Sequence, residues 1–183
     1  MALGSFARTL VFDDSPLDRY MDGDATALDE AQGRGLALFL GRAGCAGCHD
    51  GPNLTDHRFH GLGVPDGAVR GDPAVMASVR FDAKRMGLPG WAGVKDDPGR
   101  ELVTHDPADH GKFRTMGLRN VEQSPPYMHD GALATLEEVV AFYDRGGGEG
   151  GELEPLGLSE GERRDLVAFL KALTGSQRQP AFR

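Results

Sequence analysis

The stretch from Gly44 to Asp50 reads GCAGCHD and contains both cysteines of the 183-residue chain. Cys45 and Cys48 are separated by two residues, and His49 follows the second thiol directly. Thiolate and imidazole groups are donors that proteins use to bind transition metals. This short segment therefore predicts a metal or cofactor centre.

The spacing Cys-x-x-Cys-His is typical of covalent haem c attachment. The two thiols bond to the porphyrin edge, and the adjacent imidazole reaches the iron as its proximal ligand. We expect Cys45 and Cys48 to hold one haem and His49 to bind its iron, because the chain has no second motif of this kind. A thioredoxin-like redox pair would need a βαβ context, and a zinc site would need a second pair of ligands at tight spacing.

The composition predicts a chain with a few helices joined by long irregular segments. It contains 27 glycines and 11 prolines, which is more than the usual share of these residues. A formal net charge of -8 repels phosphate backbones, so nucleic acid is not an expected partner. No apolar run approaches the roughly 18 residues that a membrane-spanning helix needs, so a membrane span is not expected.

Three segments have the capping residues and apolar spacing of helices, and no segment has the alternation of a sheet strand. The fold class that we predict is therefore all-α, with long irregular loops. In the first helix Leu36, Phe39 and Leu40 share a face, and in the second Tyr143 points inward with Leu136 and Val140. The predicted helices cover 27–41 after the N-cap Thr26, 135–146 from the N-cap Thr135, and 159–175 from the N-cap Ser159.

Shorter signals complete the predicted organisation. Ser15 and Pro16 begin a short helix, a further short helix covers about 74–85, and residues 2–12 have the pattern of the end of a longer helix. We divide the chain into residues 1–25, an interdomain arm with a short helix; residues 26–175, a c-type cytochrome domain; and residues 176–183, a loose tail.

The second axial ligand of the iron has several candidates in the sequence. Methionine would raise the reduction potential and suit electron transfer, whereas tyrosine would lower it and favour higher oxidation states. The helical spacing also allows Tyr143 to be a core residue. The candidates are Tyr143, Met76, Met86, Met116, Met128 and the five histidines other than His49.

Two longer stretches resemble the C-terminal haem domain of the bacterial di-haem cytochrome c peroxidase family, and most of all its branch that includes the methylamine-utilisation enzyme MauG. They are residues 35–65, GLALFLGRAGCAGCHDGPNLTDHRFHGLGVP, and residues 96–147, DDPGRELVTHDPADHGKFRTMGLRNVEQSPPYMHDGALATLEEVVAFYDRGG. PYMHDG, followed by TLEEVV and FY at this spacing, is more specific than the haem motif alone. The resemblance covers nearly the whole chain and implies a cytochrome c-like domain wrapped around one covalently bound haem.

The resemblance selects among the candidate distal ligands. Peroxidases of the family place a methionine, and MauG-like proteins a tyrosine, at the ninth residue of the segment that begins TLEE. That residue is Tyr143 in this chain. The resemblance therefore implies Tyr143 as the distal ligand, with Met128 as the alternative.

The resemblance also implies a calcium site and partners for the haem propionates. The segment SPPY matches the family's Thr-x-Pro-Tyr, whose carbonyls help to bind calcium between two haem domains. Ser124 and Pro126 are the corresponding donors, and backbone oxygens suit calcium. Arg114 and Arg119 are expected to pair with the propionates because of their charge.

Two functions are compatible with these residues. As a C-terminal haem domain, the chain would belong to an enzyme that reduces hydrogen peroxide with electrons passed through c-type haem, and its partner would be a second haem domain or a redox protein. The alternative is a stand-alone mono-haem cytochrome that acts only in electron transfer. No catalytic acid or base is identified from the sequence. Bacteria attach haem c outside the cytoplasm, so the family implies a periplasmic location, although no signal peptide is visible in the chain.

Overall fold

Helices carry most of the regular structure of the chain. The computed structural model describes residues 12–64 and 71–177, together with Gly4. In these ranges no helix has the length and apolar character needed to cross a membrane. The helices are α1 (Pro16–Met21), α2 (Glu30–Leu40), α3 (Pro73–Arg85), α4 (Glu101–Thr104), α5 (Leu136–Asp144) and α6 (Glu160–Lys171).

Two short antiparallel ladders are the sheet content of the described residues. Strand β1 (Phe12–Asp13) pairs with β4 (Ser176–Gln177), and β2 (Phe59–His60) pairs with β3 (Phe113–Arg114). The helix-rich architecture agrees with the predicted class, and the departures from all-α in this part of the chain are the two ladders and two isolated β-bridges, Gly99 with Lys112 and Tyr127 with Leu133. The predicted helix end at 2–12 lies outside the described residues except for Gly4 and Phe12, and the domain division stays a prediction.

The helix starts follow local capping chemistry. Capping boxes at Ser15, Thr135 and Ser159 confirm three predicted N-caps, and α3 confirms the predicted helix near 74–85. The start predicted for the first long helix was wrong. Asp29 caps α2 and forms a reciprocal box with Gln32, whereas Thr26 donates its hydroxyl to Asp24 at 2.7 Å. A cap accepts from backbone N–H groups two or three residues further on, so Thr26 lies too far before a helix that begins at Glu30 to cap it.

The core forms where α6 packs against α2 and α5. The rings of Phe39 and Phe169 meet with their centroids 5.0 Å apart. Phe142 is fully buried, a position that the sequence pattern overlooked. Leu40 is 64 % exposed, although the sequence pattern placed it on the buried face with Phe39. The face of α2 that contacts α6 carries Gly35 and Phe39. Leu40 lies about 100° further round the helix than Phe39 and so points away from α6.

The packing of α2 also fixes the position of the cysteine motif. A 3-10 turn, Cys45–Gly47, begins five residues after Leu40, the last residue of α2. The backbone N–H of Ala43 donates to the carbonyl of Leu38 at 3.0 Å, and Ala43 is buried in the core. Cys45 packs partly buried against the same core. The motif is therefore anchored to the packed helices rather than carried on a free loop.

We predict that Gly35→Ala destabilises the protein. A methyl group there would collide with the carbonyl of Asp165 on α6 and lie 2.7 Å from the Cβ of Phe169. Overpacking of this kind costs at least about 1 kcal/mol. Gly33, in the same helix, has no atom within 4 Å of an added methyl group. Gly33→Ala should therefore be neutral or stabilise the chain by up to about 1 kcal/mol. Urea unfolding followed by circular dichroism measures both, and equal stabilities of the two variants would contradict the close helix contact.

Candidate haem site

The predicted attachment motif folds as one compact turn. Gly44 enters it in the left-handed conformation, with φ 66°, which favours glycine. The backbone N–H groups of Cys48 and His49 both donate to the carbonyl of Cys45, at 3.2 and 2.9 Å. Both cysteines are free thiols. Two thiols and one imidazole are therefore presented from a single turn of chain.

His49 has the local environment of a metal-binding imidazole. Its Nδ1 lies 3.0 Å from the carbonyl oxygen of Leu54, and a carbonyl only accepts, so Nδ1 carries the proton. Burial lowers the pKa of His49, against an opposing effect of the Leu54 carbonyl, which favours the neutral ring. Metal-binding histidines commonly donate their other N–H in this way. Nε2 is thus the nitrogen left to bind iron.

Tyr143 lies near the same thiols. It is next to the last residue of α5 and is half-buried. Burial, with smaller contributions from the charges of Cys45 and Cys48, raises the pKa of its phenol to about 12. Burial likewise raises the pKa of the Cys45 thiol to about 11. The phenol and both thiols are therefore within electrostatic reach of one another in a partly dehydrated space.

The alternative ligand and the proposed calcium donors lie together in another loop. Met128 is half-buried, with φ 71°, in a turn closed by the pairing of Tyr127 with Leu133. Ser124 and Pro126 are exposed on either side of Pro125, and the Ser124 hydroxyl donates to the Val121 carbonyl at 3.1 Å. The roles predicted for these residues stay predictions.

Both arginines that were expected to pair with propionates line one open cavity of about 280 Å³. Arg114 donates from Nη2 to Nδ1 of His57 at 2.7 Å. Met116 lines the cavity too, and its backbone helps to raise the pKa of His49. The cavity is therefore next to the predicted proximal histidine.

Arg119 is already paired within the chain. Its two terminal nitrogens donate to the carboxylate of Asp18 on α1, each at 2.9 Å, and its Nε donates to the Pro52 carbonyl at 2.6 Å. This pairing holds the pKa of Asp18 down to about 2. Arg119 thus ties α1 to the loop after the cysteine motif, and Arg114 has the freer guanidinium for a propionate.

The sequence reasoning missed two groups of contacts near the site. His60 lies between two carboxylates, with Nε2 3.0 Å from Asp56 and Nδ1 3.4 Å from Glu152, and this group borders Cys48. The sequence signal for this group was the spacing of Asp56 and His60, which are four residues apart and follow the cysteine motif. The ring of His129 stacks on Phe113 with centroids 3.5 Å apart, a long-range contact that no local pattern indicates.

The residues present fit haem c. The donor set is two free thiols, an imidazole with Nδ1 already hydrogen-bonded, and a phenol near both thiols. Thiols add covalently to the porphyrin edge, and imidazole and phenolate both bind haem iron. The helix-rich architecture and this donor set together define a c-type haem protein class.

Comparisons with known proteins agree with this class. No protein-family model matches the chain. It is 45 % identical over 185 residues to cytochrome-c peroxidase IdrP1 of Pseudomonas sp. (strain SCT), covering 96 % of this chain and 49 % of that protein. It is 36 % identical over 180 residues to methylamine utilization protein MauG of Methylorubrum extorquens, covering 94 % of this chain and 42 % of that protein. The chain spans about half the length of these relatives.

A solved structure has a similar fold. A MauG-like protein associated with microbial copper homeostasis aligns with a TM-score of 0.68 and 34 % identity, over 90 % of this chain and 49 % of that one. The diheme peroxidase BthA from Burkholderia thailandensis aligns with a TM-score of 0.61 at 22 % identity, which supports the fold alone. The chain is a homologue of the cytochrome-c peroxidases and MauG over most of its own length.

We predict that Asp18→Asn lowers stability at neutral pH and flattens its dependence on acid. The folded pKa of Asp18 is about 2, below its ordinary 3.8, so the carboxylate stabilises the fold above pH 3.8 and loses this effect as pH falls toward 2. Asp14→Asn is the matched control, because the Asp14–Arg19 pair is largely exposed and contributes little. Urea midpoints measured between pH 2 and 7 test this, and identical profiles for the two variants would contradict it.

Proposed function

We propose that this chain is a haem c domain of a cytochrome-c peroxidase or MauG-type oxidoreductase, and that it corresponds to the C-terminal haem domain of the family. The observation that carries the proposal is that Tyr143 lies within electrostatic reach of both Cys45 and Cys48, beside a His49 whose Nδ1 is already bonded. In such a protein these four residues would hold one covalent haem.

His49 would be the proximal ligand through Nε2. The Leu54 carbonyl, 3.0 Å from Nδ1, fixes the orientation and tautomer of the ring and increases the basicity of the coordinating nitrogen. Cys45 and Cys48 would form thioether bonds. When bound, haem c supplies an iron centre that exchanges electrons with peroxide or with a second redox centre.

Tyr143 would be the distal ligand, with Met128 as the alternative. Its raised pKa, about 12, keeps the phenol protonated in the haem-free chain. Coordination therefore requires release of this proton, which a nearby metal charge favours. An anionic oxygen ligand stabilises oxidised iron, so this residue would set a low reduction potential.

The charged residues around the site have supporting roles in this proposal. Arg114 would pair with a haem propionate from the cavity wall, since charge-assisted pairs of this kind are strong. Arg119 could bind a propionate as well only if its terminal nitrogens divided their hydrogen bonds between the propionate and Asp18. The carbonyls of Ser124 and Pro126 would contribute to a calcium site shared with a second domain.

Hydrogen peroxide would be the oxidant of the whole enzyme, and a second haem domain or a redox protein would be the partner of this chain. Relatives named cytochrome-c peroxidase support this reading. Because haem c is attached outside the bacterial cytoplasm, the location that we propose is the periplasm.

A second candidate function is electron transfer without peroxide chemistry. One observation favours it: Tyr143 lies within electrostatic reach of the two thiols that precede His49. If both His49 and Tyr143 bound the iron, no axial position would be left for peroxide. The chain would then store and pass one electron, either as the electron-transfer half of a larger enzyme or as a mono-haem cytochrome.

We predict that Tyr143→Phe changes the absorption spectrum of the ferric haem-loaded chain, because phenylalanine has no ligand oxygen. Tyr20→Phe, at an exposed tyrosine of α1, is the matched control and should leave the spectrum unaltered. Met128→Leu tests the alternative ligand. A spectrum that changes with Met128→Leu and not with Tyr143→Phe would reassign the distal position to methionine.

We predict that hydrogen peroxide in modest excess leaves the spectrum of the ferric haem-loaded chain unaltered if His49 and Tyr143 occupy both axial positions of the iron. In Tyr143→Phe, where one axial position is opened, peroxide should shift the spectrum, and a reduced cytochrome should reverse that shift. A prompt, reversible shift in the unsubstituted chain would instead assign peroxide chemistry to this domain alone. Stopped-flow absorption distinguishes these outcomes.

A further inference from the structure

A second set of metal donors converges on the thiol of Cys48. Among the residues that the structure describes, one group of three or more histidine, cysteine and acidic side chains brings its donor atoms within 4.8 Å of one another: Cys48, Asp56 and His60. Glu152 lies on the far side of the His60 ring, 3.4 Å from its Nδ1. All three members of the group are partly buried.

The backbone holds these donors in place. The backbone N–H of Asp56 donates to the backbone carbonyl of Cys48 at 2.8 Å, which holds the two residues that carry the carboxylate and the thiol next to each other. His60 is held in β2 by its pairing with Phe113. Glu152 is fastened to Gly61 by two hydrogen bonds, with its own N–H donating at 2.8 Å and its Oε1 accepting at 3.2 Å. The donors therefore approach one another because of the fold and not by side-chain freedom alone.

The donor types and spacing suit zinc. Thiolate, imidazole and carboxylate are the ligands that zinc takes, and bonds of about 2.0–2.3 Å in a tetrahedron place neighbouring donors roughly 3.3–3.8 Å apart. The His60 and Asp56 donors are already 3.0 Å apart, and the thiol lies within 4.8 Å of both. Small side-chain rotations bring all three into range.

The motif itself is a poorer zinc site. Cys45 belongs to no such group of donors among the described residues, and burial raises the pKa of both thiols, that of Cys45 to about 11. Nδ1 of His49 is held by Leu54. Asp56 and His60 are the second ligand pair that a zinc site near Cys48 requires, and they come from the loop and strand that follow.

We propose that the haem-free, reduced chain binds a borderline divalent metal such as Zn²⁺ through Cys48, Asp56 and Nε2 of His60, and that haem attachment to Cys48 abolishes this site. Glu152 lies outside the coordination shell and accepts the Nδ1 proton of His60. Binding replaces the thiol proton with a sulfur–zinc bond and releases that proton to solvent. Nε2 of His60 also loses the proton that it donates to Asp56, so that its lone pair can bind the metal, while Nδ1 keeps a proton toward Glu152. Attachment converts the thiol to a thioether, which cannot become a thiolate. The sulfur of Cys48 can therefore be bonded either to the metal or to the haem, but not to both. This inference concerns the chain before haem attachment, so its failure would leave the proposed function standing.

The test is a titration of the full 183-residue chain, haem-free and reduced, with Zn²⁺ against a chromophoric chelator. Cys48→Ser, Asp56→Asn and His60→Asn should each weaken binding by more than about tenfold, since loss of even an outer-shell partner of a metal ligand costs roughly 10–100-fold. Cys45→Ser, at the other thiol, and His57→Asn, at the neighbouring histidine, are the matched controls and should bind as the unsubstituted chain does. The haem-loaded chain should not bind Zn²⁺ at this site.

Co²⁺ substitution gives a second readout, because its thiolate absorption band reports sulfur ligation independently of affinity. The band should persist in Cys45→Ser and vanish in Cys48→Ser. Equal loss in these two variants, at either readout, would place the metal on the cysteine pair and overturn the proposal. So would Zn²⁺ binding that is unaffected by both Asp56→Asn and His60→Asn, or the absence of binding to the haem-free chain.

Discussion

The contact between α2 and α6 is the constraint on which the rest of the structure depends. At Gly35 the backbone of one helix approaches the other so closely that no side chain fits between them, and Phe39 and Phe169 fill the space beside it. Arg34 and Asp165 add a two-point ion pair at the edge, at 2.8 and 3.0 Å. Since the cysteine turn follows α2 after four residues, the position of the helix pair sets the position of both thiols.

The site gathers its groups from distant parts of the chain onto this frame. His49 comes from the motif, Tyr143 from the end of α5, and Arg114 from β3. Arg119 joins the region to α1 through Asp18. Each contributing segment is anchored by hydrogen bonds or core packing of its own, so the fold of the protein chain alone holds these side chains in place.

Local chemistry explains which features could be predicted from the sequence. The capping boxes at Thr135 and Ser159, the cysteine motif and the fold class depend on neighbouring residues or on composition, and the structure agrees with them. The start of α2 was misplaced because Thr26 and Asp29 are both good caps. Thr26 forms a turn with Asp24 through its N–H and its hydroxyl, and the helix begins only at Glu30, after Asp29. The pairing of Arg119 with Asp18 and the stacking of His129 on Phe113 join residues far apart in sequence, so no periodicity indicates them.

The ladder between β1 and β4 brings Phe12 beside Gln177, at opposite ends of the main described segments. Two residues that lie side by side can be joined by a short linker without disturbing what lies between them. The part of the chain from 12 to 177 therefore meets the geometric requirement for circular permutation, with the linker between Phe12 and Gln177. New termini could be opened in a surface turn far from the thiols, while the helix pair and the haem motif would keep their order in space.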